Sequence, residues 1–398
     1  MMFRQKTDDY ARSNPYYETA KLFRLYKYLT IVVFVAFVLG GLSVVGGDEL
    51  SEDIRYLFKY MNSSAPELTD GDASVSFEGE GTTVTGIFRG DFAVLKKGTY
   101  KLYGFNGELI FSDTVSMTNP AMKTSGRYVL CYDIGGKTLK IYNSFSLIHT
   151  ETYSYPIISA DISDNGTYCV VTSEKGYHAA IYVYDSEFRI LYRWLTAEKF
   201  AIDAAICESD DSRILVSCAR ASGGDFSGEL IELSTKNDTV KSSTAIEGEL
   251  PLQISFSGDG SYRVLTSSHF RVYDNNAGTV NEYDLTSNTI DIYRTKGKYT
   301  CIAVGKSSIG QERTALIYDA AGTLLYEFDI KSQLYDIAID SDGGKIYILA
   351  SEHLYTVYPE AKRFDDMTVS QSFRKLLLPG GSRLALQGES SVKLIMIQ

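Results

Sequence analysis

Two short motifs contain residue types that could bind a phosphate group or a metal ion. Residues 135–138, with the sequence GGKT, resemble the end of a phosphate-binding loop, but that motif requires a glycine where this chain has Cys131. Residues 161–166, with the sequence DISDNG, begin like a calcium-binding loop, but the twelfth position holds Thr172 and not the required glutamate. We therefore predict a hairpin turn at each motif, because glycine and Asn-Gly pairs supply the positive φ angles of tight turns. Calcium binding is the alternative for the second motif.

The cysteines and histidines are spread widely along the chain. The five cysteines contain no C-x-x-C pair, and their odd number argues against a disulfide framework, so we predict buried free thiols. No Gly-x-Ser-x-Gly elbow is present, and no pair of acidic residues can be assigned as catalytic. We therefore predict no catalytic residue, no cofactor and no metal site. The residues concerned are Cys131, Cys169, Cys207, Cys218, Cys301, His149, His178, His269 and His353.

Two segments are the candidates for binding a partner, because they lengthen connections between predicted strands. Residues 219–229, with the sequence ARASGGDFSGE, lengthen the fourth unit of a repeat, and residues 307–313 lengthen the sixth unit less strongly. Long loops on a rigid scaffold often bind partners, although a tolerated insertion is the alternative. The candidate contact residues are Gly223, Asp225, Phe226 and Ile309.

The elements that must position these residues are the strands of a repeat that begins near Ser74. Each unit has a Gly/Asp/Asn turn followed by a short apolar strand, as in DISDNGTY from residue 161 and SFSGDGSY from residue 255. A third strand follows each time, and a fourth strand closes most units. A period of about 40 residues with four short strands per unit is typical of a β-propeller blade.

The repeat predicts an all-β, eight-bladed β-propeller over residues 74–398, with seven blades as the fallback because some units are divergent. The eighth unit ends after its third strand, and an unpaired strand at residues 74–78 begins the domain. We predict that this first strand completes the last blade and closes the ring, which removes exposed sheet edges. Trp194 is the only tryptophan, so the chain lacks the standard WD-repeat signature.

One apolar segment predicts a membrane anchor. Residues 28–47 are twenty uncharged residues, which as a helix span about 30 Å, the hydrocarbon thickness of a bilayer. We predict a transmembrane signal-anchor helix that contacts the lipid bilayer, with a cleaved signal peptide and a buried core helix as alternatives. Six basic and three acidic residues precede the segment, and four acids follow it closely. The positive-inside rule then places residues 1–27, a basic leader, in the cytoplasm and the remainder outside the cell membrane.

Residues 48–73 are predicted to be a stalk. Residues 48–61, with the sequence DELSEDIRYLFKYM, have apolar residues on one helical face. We expect a short amphipathic helix that packs on the domain or lies on the membrane surface, with a dimerisation seam as the alternative. Residues 62–73 form a polar linker.

This combination of a basic leader, one apolar segment, an acidic amphipathic stalk and a tyrosine-rich propeller with SxDG turns resembles a known family. It is an uncharacterised family of membrane-anchored β-propeller proteins of Gram-positive anaerobic bacteria, within the WD40- and quinoprotein-like propeller superfamily. The resemblance implies no known activity and no assigned site residues. A looser similarity is to envelope scaffold propellers that hold assembly machinery.

Composition and architecture together narrow the function. The net charge is −11 and basic runs are absent, which argues against a nucleic acid partner. We expect a scaffold or sensor in the cell envelope that binds an envelope protein. The alternative is a carbohydrate-active hydrolase or lyase with acidic residues at the central channel, and a purely structural wall protein is a third option.

Overall fold

A computed structural model describes residues 15–45, 74–76 and 83–396, except 97, 105, 223–224, 238, 307–309, 341, 371 and 381–382. The chain forms two compact units, residues 1–67 and 68–398. The predicted stalk at residues 48–73 lies outside the described residues.

The described part of the first unit is one helix, α1 (Pro15–Val45), which contains most of the predicted anchor segment. Its described side chains between Leu22 and Val38 are exposed. Within the described residues, no helix combines the length and apolar character that a membrane crossing requires. The transmembrane assignment of residues 28–47 therefore stays a prediction from the sequence.

The second unit is built from eight four-stranded antiparallel sheets, which are the blades of a β-propeller. In seven of them the four strands follow one another in the sequence, and the eighth is completed by the first strand, β1 (Ser74–Ser76). The predicted eight-bladed architecture is confirmed, and the seven-bladed fallback is not needed.

The strands of the first four blades have the following bounds. Blade 1 contains β2 (Thr83–Phe88), β3 (Asp91–Lys96), β4 (Thr99–Tyr103) and β5 (Leu109–Thr114). Blade 2 contains β6 (Pro120–Thr124), β7 (Val129–Asp133), β8 (Thr138–Tyr142) and β9 (Leu147–Thr152). Blade 3 contains β10 (Ile157–Ile162), β11 (Tyr168–Glu174), β12 (Tyr177–Tyr184) and β13 (Ile190–Thr196). Blade 4 contains β14 (Phe200–Ile206), β15 (Arg213–Ser222), β16 (Asp225–Ser234) and β17 (Thr239–Glu247).

The remaining blades follow the same order. Blade 5 contains β18 (Pro251–Phe256), β19 (Tyr262–Thr266), β20 (His269–Tyr273) and β21 (Thr279–Asp284). Blade 6 contains β22 (Thr289–Lys296), β23 (Tyr299–Gly305), β24 (Arg313–Tyr318) and β25 (Leu324–Ile330). Blade 7 contains β26 (Leu334–Asp340), β27 (Lys345–Ala350), β28 (His353–Tyr358) and β29 (Arg363–Thr368). Blade 8 contains β30 (Lys375–Leu377), β31 (Arg383–Gln387), β32 (Ser391–Met396) and β1.

The ring closes where the chain's first strand meets its last. Strand β1 pairs antiparallel with β32, and Val75 lies opposite Val392. This confirms the predicted closure, although the described first strand is shorter than the predicted one. Pairing at this position satisfies the backbone groups of an edge strand that would otherwise be open to another chain.

The hydrophobic core lies between neighbouring blades, which explains why second strands are mostly apolar on both faces. Strands β3, β7, β19 and β23 are buried at every residue, whereas fourth strands such as β5 and β9 alternate with exposed residues. Tyrosines fill part of this core. The rings of Tyr100 in blade 1 and Tyr142 in blade 2 stack with centroids 4.1 Å apart.

The motifs at residues 135–138 and 161–166 are turns, as predicted. Gly135 and Gly166 have φ angles of 76° and 89°, a region that favours glycine. The Asp164 carboxylate accepts a hydrogen bond from the backbone N–H of Gly126 in the preceding blade. The Asp-Asn-Gly sequence therefore shapes a turn and joins two blades. All five cysteines are buried and free, as predicted.

Candidate partner-binding face

The antiparallel blades give the propeller two faces. We call the face with the turns between second and third strands and the connections between blades the upper face. The lower face has the turns between first and second strands and between third and fourth strands. Residues 219–229 lie on the upper face, in the turn region between β15 and β16.

The predicted long loop at residues 219–229 is a β-hairpin. Strands β15 and β16 have ten residues each and pair continuously from Arg213 opposite Ser234 to Ser222 opposite Asp225. The loop assignment is wrong because the small residues on both sides of the central glycines continue the strand pairing up to Ser222 opposite Asp225. Of the strands that the structure describes, these two are the longest.

The tip of this hairpin extends beyond both neighbouring strands of blade 4. Strand β14 pairs with β15 only as far as Phe200 opposite Ala219, and β17 pairs with β16 only as far as Ser227 opposite Glu247. Residues 220–222 and 225–226 therefore have no further strand beside them among the described residues. Those of their backbone groups that do not pair across the hairpin face its outer edges, where another chain can pair.

Exposed apolar side chains gather at the upper ends of blades 3, 4 and 5. Phe226 is 65% exposed, Phe200 is 48% exposed and Leu252 is 46% exposed. Each of the three is the first or second residue of its strand. His178 stacks on Phe200 with ring centroids 4.1 Å apart, which connects blade 3 to blade 4. We call this set the apolar patch. Its members are Tyr177, His178, Phe200, Phe226 and Leu252.

Close packing holds the base of the hairpin against blade 5. A Cβ on Gly228 would lie 2.5 Å from Pro251 Cδ and 2.6 Å from the carbonyl oxygen of Glu249, so no other side chain fits. This contact brings the start of β16 next to the start of β18. The apolar patch is therefore carried by packed strands and not by a free loop.

An ion pair fixes the other side of the hairpin base. Lys199, in the connection that enters blade 4, lies 2.6 Å from the Glu229 carboxylate of β16, and both side chains are largely buried. Burial alone would raise the pKa of Glu229, but hydrogen bonds from Lys199 and Ser243 lower it below its ordinary value. Glu229 therefore stays ionised and holds the connection to the hairpin.

The second candidate segment borders a polar pocket of about 430 Å³ in blade 6, also on the upper face. Lys306 and Glu312 line it on either side of residues 307–309. Inside it, Arg313 pairs with Asp291 at 2.8 Å, and Thr314 donates a hydrogen bond to Asp329. The pocket contains both signs of charge, and its charged groups are partly neutralised by one another.

The four residues predicted to contact a partner are described unequally. Phe226 is described and exposed, whereas Gly223 and Ile309 lie outside the described residues. Asp225 pairs with Ser222 at the hairpin tip through its backbone. Sequence reasoning missed Tyr177, Phe200 and Leu252. The available signal was an apolar residue at the start of a strand, directly after a connection that reaches the surface.

Acidic groups on the lower side of the ring join neighbouring blades. Asp161 accepts a hydrogen bond from the backbone N–H of Ile206, and Glu208 accepts one from the N–H of Asp164. Burial raises the pKa of Asp161, and burial with the nearby carboxylates raises the pKa of Glu208 to about 7. These two acids therefore fasten blades 3 and 4. Over the described ranges, no group of three or more His, Cys, Asp or Glu residues could hold a metal ion.

The fold and these faces define a WD40-like β-propeller without the WD-repeat signature. The chain belongs to the DUF5711 family, a family of unknown function, whose sequence profile matches residues 72–395. The expected membership of an uncharacterised propeller family is confirmed to that extent. No functionally curated protein matches the chain.

Solved structures show the same architecture at low sequence identity. The C-terminal WD40 domain of Sif2 is 11% identical, with 81% of this chain and 99% of that chain covered and a TM-score of 0.56. The Dos1 propeller is also 11% identical, with 83% and 95% covered and a TM-score of 0.58. At this identity the likeness shows the fold alone.

Proposed function

We propose that the protein is a membrane-tethered, extracytoplasmic propeller that acts as a protein-interaction scaffold or sensor in the cell envelope. It binds an envelope protein through the apolar patch, with Phe226 entering an apolar cleft of the partner. The observation that carries this proposal is the exposure of Phe226, 65%, on a hairpin longer than its neighbouring strands. Aromatic side chains on rigid elements are the groups that most often dominate protein interfaces.

Support for the tether comes from the sequence. The uncharged residues 28–47, the basic residues before them and the acidic residues after them favour an anchor with the propeller outside. Digestion of intact cells with an added protease tests this orientation. We expect cleavage of the propeller and protection of an epitope tag on the N-terminus. Protection of both parts in intact cells, with cleavage of both after lysis, would contradict an extracytoplasmic propeller.

The partner site is tested by placing a photoreactive amino acid at position 226 in living cells. The matched control is the same amino acid at position 280, since Val280 is 50% exposed in strand β21 of another blade. We expect one protein to be captured from position 226 and not from position 280. Capture of the same proteins from both positions, or of none from position 226, would overturn the assignment of this face.

The captured protein must then depend on the aromatic side chain. For the purified partner and the full-length chain, we expect Phe226→Ala to weaken binding at least tenfold, the usual effect of removing a central aromatic anchor. Val280→Ala is expected to change the Kd less than twofold. An unchanged Kd for Phe226→Ala would show that the crosslink reports proximity without recognition.

A further inference from the structure

A cavity of about 260 Å³ opens at the lower end of the central channel. The ends of the innermost strands of blades 1, 2, 6, 7 and 8 line it. Its charged lining residues are Arg294 and Lys296, both on β22, and none of its lining residues is acidic. The remaining lining consists of Thr, Ala, Ile and Leu residues. The cavity is therefore cationic within a chain whose net charge is −11.

One buried carboxylate lies beside this cavity, and its two oxygens are already engaged. Asp336 Oδ1 lies 2.8 Å from Arg294 Nη2, and Asp336 Oδ2 accepts a hydrogen bond of 3.0 Å from the N–H of Leu376. The Asp336 side chain is only 5% exposed, whereas the Arg294 side chain is 48% exposed. The guanidinium has five N–H donors, so Arg294 can bind Asp336 and still present donors to the channel.

A third cation, Lys375, lies on β30, the innermost strand of blade 8, next to the strand β26 that contains Asp336. Lys375 Nζ donates hydrogen bonds to the carbonyl oxygen of Thr85 at 2.8 Å and to its hydroxyl at 3.1 Å, both neutral acceptors. Burial lowers the pKa of Lys375, Asp336 raises it and Arg294 lowers it further, so these three groups lie in one electrostatic environment. Within the described part of the chain, neither Lys375 nor Lys296 has a carboxylate at ion-pair distance.

The three cations on this side of the channel therefore face one carboxylate, Asp336, and on the side of blades 2 and 3 Lys123 lies 3.9 Å from Asp161. The charge of the half-buried Lys375 has no carboxylate at ion-pair distance, which is unfavourable, and the low-dielectric walls of a channel concentrate the field of the exposed cations at its mouth. Arg and Lys donors that converge on a cleft are the groups by which proteins bind carboxylates and phosphates. A ligand with negative charge would supply the missing compensation.

We infer that the lower end of the central channel binds a small anion through a carboxylate or phosphate group. Arg294 and Lys296 contact it at the mouth, and Lys375 contributes from β30 of blade 8. The volume of about 260 Å³ lies just below the range of roughly 300 to 1,000 Å³ for drug-sized ligands. The ligand is therefore expected to be small. This site lies on the opposite face from the apolar patch and does not depend on the protein-partner proposal.

Titration calorimetry on the full-length protein in detergent tests this inference, with inorganic phosphate and succinate as separate probes. Low ionic strength is required because salt screens exposed charges. We expect saturable one-to-one binding of at least one probe. Preference for phosphate or for succinate identifies which of the two anionic groups the site accepts. If neither probe gives saturable binding, the inference is wrong.

Charge variants locate the binding. We expect Lys296→Gln to weaken binding at least tenfold, and Lys296 is exposed, so the variant should fold. Lys375→Gln tests the same site from β30 and is also expected to weaken anion binding. The matched control is Lys331→Gln, which removes the same charge from the exposed connection between blades 6 and 7 on the upper face. An equal loss of affinity in the control would show a general effect of net charge and would overturn the assigned site.

Discussion

Val75 and Val392 lie opposite each other across the antiparallel pair β1–β32, and both side chains are buried. They belong to a cluster that also contains Phe92 and Val94 of blade 1. The contact between Val75 and Val392 therefore joins β1 to the other three strands of blade 8 and helps to pack blade 8 against blade 1.

Disrupting this contact is expected to destabilise the whole ring. Val75→Asp places a charge in an apolar cluster and should lower the free energy of unfolding by about 3 kcal/mol or more. The control, Ser76→Ala, changes an exposed residue of the same strand and should stay within about 0.5 kcal/mol. Urea unfolding of the full-length chain measures both. Equal stability of Val75→Asp and the unmodified chain would show that the ring does not need β1.

Gly228→Ala is expected to displace the base of hairpin β15–β16. The added Cβ would overlap Pro251 and the backbone of Glu249, and overpacking of this kind usually costs about 1–3 kcal/mol. A Cβ on Gly258 meets nothing within 4 Å, so Gly258→Ala is the matched control. Thermal unfolding compares the two variants. A smaller loss of stability for Gly228→Ala than for Gly258→Ala would contradict the packing described for the hairpin base.

Because the pKa of Glu208 is raised, we expect the free energy of unfolding to fall as the pH rises from about 4.5 to about 7. Its pKa is raised by burial and by nearby carboxylates from 4.5 to about 7, so between these values the folded chain binds more protons than the unfolded chain. Glu208→Gln removes this term and keeps an oxygen for the N–H of Asp164. We expect the variant to be more stable above pH 7, by about 1 kcal/mol because this carboxyl is only partly buried and solvent screens it, and equally stable below about pH 4.5.

The matched control for this pH dependence is Glu312→Gln, which changes an exposed glutamate on the upper face. The unfolding free energies of this variant and of Glu208→Gln are compared with those of the unmodified chain over the same pH range. A constant difference between Glu208→Gln and the unmodified chain from pH 4 to pH 8 would contradict a raised pKa at Glu208.

The cysteine thiols are expected to be unreactive toward thiol reagents in the folded protein. All five are buried and free, and burial raises the pKa of Cys218 and of Cys301 to about 12. Thiolates are the reactive form, so Ellman's reagent at pH 8 should label almost none in native buffer and all five in guanidinium chloride. Rapid labelling of even one cysteine under native conditions would show that a blade opens locally.

The repeat could be predicted from the sequence because each blade needs the same kinds of residue at its turns and in its buried strands. Turns such as residues 161–166 require particular residue types, and second strands buried on both faces are mostly apolar, as in residues 168–171 of β11. The closing strand could be predicted for the same reason, since the last unit has three strands and one unpaired strand precedes the first unit.

The upper face could be predicted only in part. Phe226 was found because residues 219–229 lengthen the unit, but glycines and small polar residues indicated a loop where cross-strand pairing extends a hairpin. The exposure of Phe200 depends on how far β14 and β15 pair, which no local pattern encodes. Contacts such as Asp161 with Ile206 join residues 45 positions apart and emerge only when the blades assemble.

The pairing of β1 with β32 has a consequence for synthesis. Of the described propeller strands, the one at residues 74–76 leaves the ribosome first, and its partner at residues 391–396 leaves last. At about 5–20 residues per second, the nascent chain waits roughly fifteen seconds to a minute before the two can meet. During that time blades 1 to 7 can pack as an open arc, and the two end blades each expose the apolar face that blade 8 covers in the closed ring. Apolar surface on blades 1 and 7 therefore stays exposed to solvent until the last strands have been made and the ring is sealed.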